Sequence, residues 1–170
     1  MIITEKLEEI IINCKIIKSF VPLPDHILGH YSFDGEFYII LINKEIEHNE
    51  RLYRTVLAEE IGHYRTTIGD ITPRRYMSYR DRIEVDKKEL LALRWACDFL
   101  IPTKSLMEVI SRQPSISLEY LADHFMVTEK LLLQKFDFMA KIKPVWEIDT
   151  ERCLYLHSLP SIFIYNGFID

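Results

Sequence analysis

Two glutamates and a histidine stand together in the string EEIGH, from Glu59 to His63. If that segment is helical, residues four apart lie one above the other, so Glu59 and His63 can direct an oxygen and a nitrogen at one point in space. A divalent metal ion can be held at such a spacing, with Glu60 between the two. The same string also suits acids and a histidine on a solvated helix face. The neighbouring elements must decide between the two.

The residues from Asn49 to Thr67 support a helix, with Leu52, Val56, Leu57, Ile61 and Tyr64 on a helical period and Ala58 and Gly62 allowing close packing. Gly69 and Pro73 are expected to end it, and Ile71 to Asp86 reads as an arginine-rich loop. A second long helix is expected from Asp86, its N-cap, to Pro102, with Leu90, Leu93, Ala96, Cys97 and Leu100 on the apolar face. Upstream, an amphipathic helix is expected over Glu5 to Phe20, stopped by Pro22 and Pro24. A β-hairpin then follows over Leu28 to Asn43, turning at Asp34-Gly35. His30 and Tyr31 lie on that hairpin, beside the expected cleft. Downstream, helices are expected near Lys104 to Ser111, Leu118 to His124 (N-capped by Ser117) and Thr128 to Lys141. The tail after Pro144 reads as β-like.

Zinc peptidases use the i, i+4 spacing as H-E-x-x-H, in which two His bind the metal and the Glu is the base. Here Glu59 stands where the first His would be. The longer stretch TVLAEEIGHYRTTIGDI resembles the active-site helix of ImmA/IrrE-type metallopeptidases, in a phage-like branch. ELLALRWACDFLIP is similar to that family's second helix, and SLEYLADHFMVTE to its C-terminal helices, so the resemblance covers residues 28 to 140. It implies Glu60 as general base, His63 and Glu89 as metal ligands, and Glu59 as the substitute for the missing first ligand. Asp70, in the G-D pair of that stretch, reads either as orienting His63 or as stabilising a turn, and Tyr64, next to His63, either as a hydrogen-bond donor to a substrate or as a helix-surface or core tyrosine.

The implied cofactor is a divalent metal, zinc first and manganese as the alternative, because a richer oxygen set suits harder ions. With Glu59, His63 and Glu89 the formal charge of a zinc site falls to zero, which raises the pKa of a bound water above the ~7 of catalytic zinc. The resemblance further implies an α+β, minimal zincin-like fold: an N-terminal helix and a small antiparallel sheet packed on the two ligand-bearing helices. Residues 1–112 would form this core and 113–170 a C-terminal helical subdomain and tail. The implied activity is peptide-bond cleavage in a protein partner such as a phage or mobile-element repressor. The alternatives are a degenerate member serving as a protein-binding regulatory module and, third, a DNA-binding regulator.

Composition narrows these classes. At 170 residues, 48% hydrophobic and 28% charged, the chain is long enough for a sizeable core. The first twenty residues lack a signal peptide's basic start and unbroken apolar run, and no stretch approaches a membrane span, so a cytoplasmic protein is expected. Cys14, Cys97 and Cys153 form no C-x-x-C pair and are expected to be reduced. A net charge of -5 gives no general affinity for nucleic acid. The helix-turn-helix-like text from Leu118 to Lys141 carries no basic stripe: Glu119, Asp123, Glu129 and Asp137 offset Lys130, Lys135, Lys141 and Lys143 across Ser115 to Lys143. Nucleic acid and membrane are therefore not expected partners.

Overall fold

In the computed structural model, residues 3–66 and 79–167 are described, and they fall into two compact units, Met1–Ala96 and Cys97–Asp170. The architecture is mixed α+β. Among the described residues are six α-helices and two three-stranded sheets. No helix among them is long and apolar enough to cross a membrane.

In the first unit, α1 (Ile3–Asn13) buries Leu7 and Ile11, four residues apart on one face. It stops at Asn13 and does not continue to Phe20. Lys15 turns left-handed at φ 54, and the Ile16 amide donates to the Ile11 carbonyl at 3.0 Å, closing the helix end. The residues that read as the helix's last turn form β1 (Ile17–Val21), which pairs in parallel with β3 (Tyr38–Asn43). The sequence IKSFV suits either conformation by pattern, and pairing with a buried strand decides it.

The hairpin forms as its text predicts. β2 (Gly29–Phe33) runs antiparallel to β3, and the turn places Gly35 at φ 102 while Asp34 Oδ1 accepts from the Glu36 and Phe37 amides at 2.9 and 2.7 Å. The sheet order is β1-β3-β2, so the sheet is mixed and not antiparallel throughout. Ile40 and Ile42, on the same face of β3, are fully buried, as are Leu57 and Ile61 of α2 (Glu50–Thr66), which packs on β2 and β3. Each such side chain contributes about 1.5–3 kcal/mol of apolar burial.

The second long helix, α3 (Tyr79–Leu100), starts seven residues before Asp86. Asp86 is thus an exposed residue within the helix and not its N-cap. No Pro or Gly interrupts YRDRIEVD, and its Arg and Glu residues are good helix formers, so the helix extends back through text that reads as loop. Residues 67–78, with Gly69, Asp70, Pro73 and the arginines at 74 and 75, lie outside the described residues. Ala92 of α3 is fully buried against α2, where Gly62 has no side chain: a Cβ there would stand 2.4 Å from the Ala92 carbonyl oxygen. Close packing at Gly62, expected from the sequence, is therefore present.

The second unit contains α4 (Thr103–Ser111), α5 (Leu118–Phe125) and α6 (Glu129–Ile142), all close to their expected limits. Ser117 caps α5 by accepting from the Tyr120 amide, and Thr128 caps α6 by accepting from the Leu131 amide, each at 3.2 Å. The β-like tail becomes an antiparallel sheet of β4 (Val145–Glu147), β5 (Arg152–Tyr155) and β6 (Phe163–Asn166). All three cysteines are free thiols, with Cys97 and Cys153 buried. Lys135 is also buried here, its ammonium 2.5 Å from Asp98 Oδ1 and 2.8 Å from Thr103 Oγ1.

Candidate functional site

Two turns of α2, from Val56 to His63, carry the polar residues inward. Glu60 and His63 are three apart, so they share a face with Val56 and point into the first unit, only 8% and 5% exposed. Glu59 lies beside them, half-buried. α3 brings Glu89 to the same place, with Oε2 3.5 Å from His63 Nε2. The structure thus gathers Glu59, Glu60, His63 and Glu89, carried on two separate helices, into one electrostatic cluster.

The electrostatics follow from that crowding. Burial raises the Glu60 carboxyl to about 8, the His63 imidazolium opposes the rise, and the charges of Glu59 and Glu89 add to it. For His63, burial disfavours the charged ring, but the hydrogen bond with Glu89 and the nearby carboxylates of Glu60, Glu89 and Glu59 outweigh it, and its pKa is raised. Both groups therefore hold a proton more tightly than they would in water.

The hairpin forms the other wall. Tyr31 of β2 is buried and stacks on His63, ring centroids 6.2 Å apart and planes 13° from parallel. Its phenol is pushed up to about 12 by burial and by neighbouring Tyr38 and Tyr64, so it remains a neutral proton donor. Tyr38 extends the aromatic surface to Phe33 at 4.7 Å and to Tyr64 at 4.8 Å. Tyr64 is half-buried, edge-on to Tyr38, and its phenol is raised first by a hydrogen bond with Cys14. His30 is exposed, as are His26, His48, His124 and His157. Asp70 lies outside the described residues.

Whether these donors suit a metal can be judged from their spacing and charge. Two ligands at tetrahedral angles on a zinc ion, with bonds of about 2.0–2.2 Å, stand about 3.4 Å apart. His63 Nε2 and Glu89 Oε2, at 3.5 Å, fit that edge better than a tight ion pair. Glu59 and Glu89 place negative charge around a single imidazole, a balance that favours a cation. Among the described residues no group of three or more His, Cys, Asp or Glu side chains is arranged to hold an ion. His63 and Glu89 are therefore the pair whose geometry fits, and a third ligand position rests on the sequence.

Sequence reasoning passes over one member of the site, Gly29. A Cβ at Gly29 would stand 2.5 Å from Glu60 Oε1, so the carboxyl lies directly over the strand backbone. The available signal is the glycine itself: within a strand, glycine marks a place where something approaches the backbone closely.

A profile of the IrrE N-terminal-like domain, the M78 peptidase family, matches residues 15–137, from the end of α1 through most of α6. Neither a curated protein nor a solved structure matches the chain.

Proposed function

The chain belongs to the IrrE N-terminal-like family of M78 peptidases, and we propose that it is a metal-dependent peptidase in which Glu60 is the general base. The observation that carries this reading is the Glu60 carboxyl itself. It is buried among Glu59, His63 and Glu89, with its pKa pushed up to about 8. A structural role would favour a neutral residue there. A proton acceptor, by contrast, benefits from a pKa close to the working pH.

His63 and Glu89, with Glu59 as the third ligand, would hold the divalent ion, zinc first and manganese as the alternative. Bound there, the ion supplies a Lewis acid for a peptide carbonyl and a positive charge that favours ionised Glu60. Glu60 accepts the proton of the attacking water and returns it to the leaving amine. Tyr31 fixes the plane of the His63 ring by stacking. The burial of Glu60 and His63 restricts bulk water around the transferred proton. The substrate we propose is a protein partner of the phage or mobile-element repressor kind, following the resemblance of the α2 and α3 sequences.

The test uses the full chain incubated with zinc and with manganese, analysed for bound metal and for cleavage of candidate repressors. Stoichiometric metal and repressor cleavage are expected. Glu60→Gln should keep the metal and lose the cleavage. A chain that takes up neither ion overturns the reading.

A further inference from the structure

We infer that Gly29 is a positioning residue for Glu60: the missing side chain at the start of β2 lets the base's carboxyl lie against the strand beside His63. This rests on the role proposed above for Glu60. A Cβ at Gly29 would stand 2.5 Å from Glu60 Oε1, 2.9 Å from Glu60 Cγ and 2.6 Å from Val56 Cγ1. Carbon atoms in good contact stand about 3.5–4.0 Å apart, so an added methyl must displace something by about 1 Å. Gly29 has no left-handed φ. Space is what the position requires, and not backbone freedom.

Neither wall can easily withdraw. Gly29 is in register with Ile42 of β3, and the adjacent Leu28 carbonyl accepts from the Asn43 amide at 2.8 Å. The Asn43 side chain, fully buried, donates to the carbonyls of Ile27 at 3.0 Å and Leu23 at 3.2 Å, pinning the chain that leads into β2. On the helix side, Glu60 and Gly62 point about 200° apart around α2. Glu60 faces Gly29 while Gly62 lies against the Ala92 backbone of α3. The helix is held between strand and helix. The yielding parts are the side chains of Glu60 and Val56, and movement of Glu60 moves the base.

The experiment removes the Val56 contact first, so that the added methyl acts on Glu60. In the metal-loaded full chain, V56A/G29A should show a kcat about a hundredfold below V56A, as expected for a base misplaced by about 1 Å, with KM and metal content unchanged. Shortening the base relieves the clash, so G29A should lower kcat by no more than about threefold in a V56A/E60D background. A kcat in V56A/G29A equal to that of V56A, or a loss from G29A that is as large with E60D as with the native Glu60, overturns the inference. A second measurement does not need turnover: the urea midpoint of the metal-free protein should fall on adding G29A to V56A and recover on adding E60A. If the parent cleaves nothing, the peptidase reading fails and this cycle decides Gly29 alone. A midpoint loss that persists without the Glu60 side chain then overturns it.

Discussion

Glu60 in the first unit and Lys135 in the second are both buried ionisable side chains, 8% and 1% exposed, but their surroundings differ in kind. Lys135 has an opposite charge at 2.5 Å and a hydroxyl at 2.8 Å. Among the described residues Glu60 has no such partner: its burial, opposed by the His63 imidazole and reinforced by the like charges of Glu59 and Glu89, pushes its pKa up to about 8. A buried charge whose neighbours satisfy it holds a fold together; one whose neighbours oppose it stores a cost that function can use. The two regions should therefore respond to substitution in opposite ways.

The largest effect is expected at Glu60. Glu60→Gln should lower cleavage about 10²- to 10⁴-fold while leaving bound metal unchanged, measured by single-turnover proteolysis and elemental analysis. Asp98→Ala, which strips Lys135 of its acid, should instead cost about 3 kcal/mol in urea denaturation, with cleavage per folded molecule unchanged. If Asp98→Ala abolishes turnover at full stability, the division between the two regions breaks.

A pH series sharpens the same contrast in chain stripped of metal. Glu60 has a folded pKa of about 8 against an ordinary value of 4.5, so the folded state keeps a proton that the unfolded state releases between those limits. The stability it contributes is fully present below pH 4.5 and is lost as pH rises toward 8. His63, whose pKa is also raised, adds loss in the same direction. Glu60→Gln should flatten this slope and leave the metal-free protein about 2 kcal/mol more stable than the parent at about pH 8. A parent that gains stability from about pH 5 to about pH 8 would contradict the crowding of carboxylates at the site.

The smallest effect tests whether satisfaction or location matters. Asn43 is buried near the site but fully bonded, like Lys135. Asn43→Ala should cost about 1–2 kcal/mol by orphaning the Leu23 and Ile27 carbonyls. Cleavage should fall only as far as Gly29 shifts. A loss of turnover as large as that of Glu60→Gln would make location the deciding property.

Much of this is legible in the residues. The i, i+4 spacing of Glu59 and His63, the Asp34-Gly35 turn and the caps at Ser117 and Thr128 are local signals, each depending on a few consecutive residues, and they agree with the helices, hairpin and caps observed. Sequence and structure part where a distant partner decides. The text of β1 has a pattern that suits helix and strand alike, and only pairing with β3 selects the strand. α3 begins seven residues earlier than its sequence suggests, because an arginine-rich helix without a clear apolar stripe resembles loop.

The sequence alone determined which chemistry the chain could attempt: a carboxylate-rich helix with one ligand-spaced histidine, and a family resemblance that the profile match agrees with. Tertiary structure alone decided how the carboxylates are tuned. Burial raises Glu60, the carboxylates of Glu89, Glu60 and Glu59 raise His63 against its own burial, and Gly29 supplies the space in which Glu60 lies. Spacing along one helix is a local property that sequence encodes directly, whereas a pKa depends on every charge and every excluded water brought near it by the fold.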